Sequence, residues 1–163
     1  AFLKAVGLSQ PGCAILDSRM PVLRGQQVHQ YLLEQQSPLA VIYLTGHGDV
    51  PMAVEALHAG AIDFFQKPVK AQDLIKAINR GLQLSSQSVI QQQAQQAYLQ
   101  LTQREREILR LIIDGKRNQN IADELLIAVR TVEVHRSSLL KKFAAKTVAE
   151  LAYIYGQHCA TKS

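Results

Sequence analysis

Charge is missing from one stretch of this chain: between Arg80 and Arg104 there is no acidic or basic residue. The stretch carries Gln83, Gln87, Gln91, Gln92, Gln93, Gln95, Gln96 and Gln100 instead. Such composition marks a linker rather than a domain core, yet Gln and Ala are good helix formers. Leu82, Val89, Ile90, Ala94 and Leu99 give it a weak apolar stripe, so an interdomain helix frayed in its middle is expected. Cysteine is scarce as well. Cys13 and Cys159 lie near opposite ends with no CxxC spacing, which points to free thiols in a reducing cytoplasm. No apolar run reaches the roughly 18 residues of a membrane span, and no signal peptide is visible. A membrane partner is therefore not expected. Nor is there an initiating Met: the chain starts at Ala1, inside a helical pattern, and reads as an N-terminally incomplete product.

The 163 residues are 47% hydrophobic and 19% charged, enough for one domain or two small ones with real cores. The net charge of +5 is unevenly spread. Residues 1–82 hold seven basic against six acidic side chains, whereas 101–163 hold eleven against seven. The positive excess lies in the C-terminal part, as an electrostatic footprint for nucleic acid requires; an ordinary solvated basic surface has the same balance.

Before the Gln-rich stretch, short apolar runs alternate with amphipathic segments. Cys13–Leu16, Leu39–Leu44 and Ala61–Phe65 read as strands. Helices are expected at about Gly25–Gln35 and Val50–His58, and from Ala71 onward. Continuous apolar strands between helices mean a parallel sheet covered on both faces, with function at the carboxyl ends of its strands. Those ends hold Asp17, Thr45 and Lys67. A carboxylate, a hydroxyl and an ammonium group together suit reception of a phosphoryl group, with Asp17 as nucleophile. A surface ion pair of Asp17 with Lys67, with Thr45 capping the next helix, fits the same spacing.

The segment from Leu101 to Lys142 reads as two short helices, a tight turn and a third helix starting at Thr131. Thr102 and Glu105 form a capping box, and Ile108, Leu109, Leu111, Ile112 and Ile113 supply a buried side ended by Gly115. Asn118 opens the second helix, with Ile121, Ala122, Leu125 and Leu126 facing inward. The third carries Val132, Val134, Leu139, Leu140 and Phe143 together with His135, Arg136, Lys141 and Lys142, and a last helix covers Val148–Tyr155. This is the layout of a helix-turn-helix reader, whose third helix enters the major groove of double-stranded DNA. His135 has no ligand partner at metal spacing.

LDSRMP (16–21), LTGHGDVPMAVEALHAGAIDFFQKP (44–68) and all of 101–151 resemble a two-component response regulator of the FixJ/NarL type, a receiver domain followed by a LuxR-type helix-turn-helix. The resemblance spans nearly the whole chain. It implies an incomplete flavodoxin-like receiver with three remaining strands in residues 1–82, a linker helix in 83–100 and an all-α four-helix output domain in 101–163. It makes Asp17 the phosphoacceptor, Thr45 the switch hydroxyl, Phe64 the switch aromatic and Lys67 the phosphate-binding lysine, with Pro68 following in a cis bond. Asp17 and the backbone carbonyl of Arg19 match ligands of Mg²⁺, the cofactor of an intact receiver. The acidic pair that completes that site in the family has no match in this sequence, so poor Mg²⁺ binding and inefficient phosphorylation are expected. In the output domain the resemblance assigns Val129 and Leu139 to packing, Glu133, Val134 and Ser137 to base contacts, and Arg130, Thr131, Arg136, Lys141 and Lys142 to phosphate, with Asn118 a further contact. A sensor histidine kinase, RNA polymerase and a second copy on DNA are the implied partners. The receiver face at Val50–His58, Ala61–Phe65 and Ala71–Arg80, with Ala53, Leu57 and Leu74, would serve pairing.

Two departures stand out. Ala128 occupies the cap position before the third helix, usually Ser or Thr, and Asn120 replaces an acidic residue of the second. Two rival functions differ in class. An aspartyl-phosphate phosphotransfer enzyme needs an acid/base just after the nucleophile, where this chain has Ser18, Arg19 and Met20. A sigma-like helix-turn-helix would contact polymerase rather than read an operator alone.

Overall fold

The computed structural model describes residues 7–17, 24–46 and 50–160. The chain divides into two compact units, one ending at Val89 and the other starting at Ile90.

In the first unit, β1 (Cys13–Asp17), β2 (Ala40–Thr45) and β3 (Asp63–Gln66) form a parallel sheet in that order. Asp17 pairs with Leu44, and Thr45 with Gln66. The helices α1 (Gly25–Glu34) and α2 (Val50–His58) follow the first two strands. Val28 and Leu32, one turn apart on α1, join Ala56 of α2 against Ala14, Leu16, Val41 and Tyr43 of the sheet. The α2 helix stops at Gly60, whose φ of 98° is left-handed, and the N–H of Ala61 returns to the carbonyl of Ala56 at 3.0 Å. That return bond explains why β3 starts at Asp63 rather than at Ala61: Ala61 still closes the preceding helix.

The Gln-rich stretch belongs to one uninterrupted helix, α3 (Ala71–Leu99), instead of fraying in its middle. No proline interrupts it, and its composition favours helix throughout. Gly81 permits its approach to the sheet: a Cβ there would lie 2.8 Å from Ile62 Cδ1 and 3.1 Å from Cys13 Sγ. Ser85 fixes the same contact, accepting from the N–H of Gly12 (2.9 Å) and donating to the carbonyl of Pro38 (2.5 Å). Coverage of both sheet faces is incomplete among the described residues. Ile15 of β1 is 42% exposed, on the face of that strand opposite Ala14 and Leu16.

The second unit contains the last part of α3 and four further helices: α4 (Gln103–Ile113), α5 (Asn118–Leu125), α6 (Val129–Lys142) and α7 (Val148–Ala160). Ile108, Leu109, Ile112, Ile121, Ala122, Val132, Leu139, Phe143 and Leu151 form its core with Ala97 and Leu101. Gly115 takes φ 78° after α4, and the N–H of Lys116 closes on Leu111 at 3.0 Å. Helix α6 begins two residues before Thr131, and α7 runs five residues beyond Tyr155. Leu126 does not face inward. It adopts φ 54°, closing α5 in the left-handed region, and is 91% exposed. The N–H of Ile127 returns to Ala122 at 3.0 Å, and Ile127 packs against the core instead.

Candidate functional site

The carboxyl ends of the three strands bring the phosphate-handling candidates to one edge. Asp17 ends β1, Thr45 ends β2, and Lys67 follows β3. Lys67 Nζ donates to Asp17 Oδ2 at 2.5 Å, with side chains 45% and 37% exposed. The backbone N–H of Lys67 donates to the carbonyl of Thr45 at 2.7 Å, so the third strand is tied to the second at this edge. Thr45 itself is buried. The Lys67–Pro68 peptide is cis. Gly25 is required where α1 leaves this edge, since a Cβ there would meet the carbonyl of Asp17 at 2.9 Å. The ion pair read from spacing is therefore present, and it lies in the open where a ligand oxygen can displace it.

Phe64 is half-buried and stacks on Tyr43, with ring centroids 6.3 Å apart. Tyr43 tilts against His29 at 5.8 Å. Burial pushes the Tyr43 phenol up to about 12 and lowers His29, so both rings are neutral near pH 7. The sequence singled out neither Tyr43 nor His29; their position against Phe64 depends on strand pairing and on α1.

On α6, Arg130, Thr131, Val134, Ser137 and Lys141 are exposed, at spacings that share one side of a helix. Arg130 pairs with Glu133 at 3.1 Å. Arg136 is half-buried and donates to Asn118 Oδ1 at 2.8 Å, so two candidate contacts hold each other across α5 and α6. Lys142 is placed differently. Its ammonium donates to both oxygens of Glu105 at 2.8 Å, and Glu105 is almost completely buried. The capping-box role of Glu105 was legible, and the Thr102 cap is formed. Its partnership with residues 33 and 37 positions away was not. Ala128 precedes α6 without a side-chain cap.

Residues 1–79 match the response regulator receiver domain, and residues 99–155 match the bacterial regulatory proteins of the luxR family. The tetrathionate response regulatory protein TtrR of Salmonella typhimurium is 50% identical over 150 residues, covering 92% of this chain and 73% of that protein. The response regulator protein TmoT of Ectopseudomonas mendocina is 41% identical, covering 94% and 72%. The solved response regulator StyR shares 38% identity with a TM-score of 0.59, over 96% of this chain and 81% of that one. The chain belongs to the two-component response regulators that join a receiver to a LuxR-type DNA-binding domain. It is a transcriptional regulator of that class, with DNA and a sensor kinase as its family's partners.

Receivers use Mg²⁺ at the phosphorylation site. Asp17 offers it one carboxylate, and the carbonyl of Arg19 lies outside the described residues. Among the described residues no group of three or more His, Cys, Asp and Glu side chains gathers around a common point. Mg²⁺ takes octahedral oxygen ligation, of which Asp17 can supply one carboxylate among the described residues. No helix among the described residues is long and apolar enough to cross a membrane.

Proposed function

We propose that Asp17 is the phosphoacceptor through which this regulator's DNA binding is gated. The observation that carries the proposal is the convergence of Asp17, Thr45 and Lys67 at adjacent strand ends, with Lys67 Nζ 2.5 Å from Asp17 Oδ2. A carboxylate oxygen of Asp17 attacks the phosphorus of a phosphohistidine on the sensor kinase. The new O–P bond forms as the P–N bond breaks, and the electron pair leaves on the imidazole nitrogen, which takes up a proton. Lys67 then exchanges its bond to Asp17 for one to a phosphoryl oxygen, offsetting the added charge. The Thr45 hydroxyl donates to a second oxygen, and Phe64, stacked on Tyr43, repacks with it.

The output is DNA binding rather than turnover. No acid/base group follows Asp17 at Ser18, Arg19 or Met20, so the acyl phosphate serves as a signal and not as a catalytic intermediate. Arg130, Thr131, Arg136 and Lys141, with Asn118, contact phosphates, while Glu133, Val134 and Ser137 reach base edges. Glu133 accepts from cytosine N4 and Val134 touches a thymine methyl. Two copies bind together in the cytoplasm, paired through the face that carries Leu57 and Leu74, and RNA polymerase is the downstream contact.

Intact mass after incubation with acetyl phosphate and Mg²⁺ tests the acceptor. Whatever phosphoryl group the wild type gains should be absent from D17N; a gain that survives D17N overturns the assignment. For the reader, R136A should weaken binding about equally to all duplexes and reduce the salt slope by about one unit. An unchanged slope removes Arg136 from the phosphate contacts.

A further inference from the structure

Glu105 sits in the first turn of α4 and is only 5% exposed, yet its carboxylate is fully engaged. Oε2 accepts from the N–H of Thr102 at 2.9 Å and from its hydroxyl at 3.2 Å. Oε1 accepts from the hydroxyl of Ser138 at 3.0 Å, and Lys142 donates to both oxygens at 2.8 Å. Burial alone would raise the pKa of Glu105; the Lys142, Thr102 and Ser138 bonds prevail and bring it to about 2. Ser138 and Lys142 are one turn apart at the C-terminal end of α6, flanking the fully buried Leu139. The cation in the last turn also complements the helix dipole.

At the other end of α6, Ala128 supplies no side-chain cap, and the preceding turn passes through Leu126 in the left-handed region. Helix α6 has 14 residues and is thus about 20 Å long. A tilt of roughly 10° about its C-terminal end would carry its N-terminal residues about 3.5 Å, more than the length of a hydrogen bond. What fixes the C-terminal turn therefore fixes where Arg130, Thr131, Glu133 and Val134 stand.

We propose that Glu105 is a positioning residue for DNA reading. Its carboxylate clamps the last turn of the recognition helix to the N-cap of α4, and Lys142 belongs to that clamp rather than to the phosphate contacts. The proposal deepens the reading of α6 as the DNA-contacting helix and rests on it.

The test uses the full chain and a duplex that the wild type itself selects from random-sequence DNA, with binding followed by fluorescence anisotropy across a salt series. K142M and E105Q should each weaken binding tenfold or more while the log–log salt slope stays at its wild-type value. A phosphate-bound lysine would instead lower the slope by about 0.9. A second measurement is nitrogen-15 NMR of lysine side chains. The Lys142 ammonium should be protected from exchange in the wild type and in K141M, and lose that protection in E105Q or, if E105Q does not fold, in E105D, whose side chain is one methylene shorter. A slope lowered by about one unit in K142M overturns the proposal. So does a folded E105Q that binds like wild type, or an unprotected Lys142 ammonium in the wild type. If the wild type selects no duplex at all, the DNA-reading assignment has failed, and the ammonium signal still decides whether the clamp exists.

Discussion

Each unit of this molecule contains a lysine–carboxylate pair that joins distant parts of the chain, and the two pairs do opposite work. Lys67–Asp17 lies open at the strand ends, with both side chains more than a third exposed. Lys142–Glu105 is enclosed, its carboxylate bonded on both oxygens. Water screens the first pair, so it contributes little to stability and is open to the exchange that its proposed phosphate role requires. The second cannot be opened without leaving a buried charge unpaired. Contact distance does not separate the pair proposed to receive phosphate from the enclosed one; exposure and the completeness of the surrounding hydrogen bonds do.

The sharpest way to break that contrast is to remove one partner from each pair. E105Q should destabilise the second unit by about 3 kcal/mol. Hydrogen exchange at the α4 and α6 amides reads this locally, without requiring the whole chain to unfold in one step. A loss within 0.5 kcal/mol would mean that the enclosed pair is no stronger than the open one.

Acid should separate the units in the same direction. The folded Glu105 pKa of about 2 lies below its ordinary value of 4.5, so its contribution is fully present above about pH 4.5. It should fade as the pH falls toward 2, by up to about 3 kcal/mol. The α4 and α6 amides of the wild type should lose protection over that window, and those of E105Q should show a flatter profile.

Smaller effects probe the uncapped end of α6. A128S should stabilise the second unit by about 1 kcal/mol by capping the helix. L126G should add a similar amount, since the left-handed turn no longer carries a Cβ and the exposed leucine gives up almost no burial. Thermal melts of the two variants check both, and a destabilised L126G would show that Leu126 has a partner that the turn geometry does not reveal. The smallest change belongs to the open pair: K67M should shift stability by no more than about 0.5 kcal/mol in urea titrations. A loss of several kcal/mol there would erase the distinction between the two units.

Much of this was readable in advance, for local reasons. Alternating apolar runs and amphipathic segments gave the strands and helices, because burial of a sheet face or a helix stripe is written at short period. The capping box at Thr102 and Glu105 is formed, since it needs only residues three apart. Departures from expectation occur where one residue serves two elements. Ala61 was expected to open a strand and instead closes α2. Leu126 reads as apolar and inward, but the chain reverses through it, and the backbone turn rather than hydropathy sets its direction. The Gln-rich stretch has the composition of a flexible linker, while its helix formers and lack of proline keep α3 continuous.

By itself the sequence determined the class of protein, the order of its two functional parts and the residue types at each site. All of these depend on motifs whose members lie within a few turns of one another. The tertiary structure decided which charges are available. Lys67, Lys141 and Lys142 are alike in the sequence, yet one faces Asp17 in the open, one is exposed on α6, and one is locked to a carboxylate 37 residues away. Desolvation and hydrogen bonding assign those roles, and both arise only when helices distant in the chain are packed together.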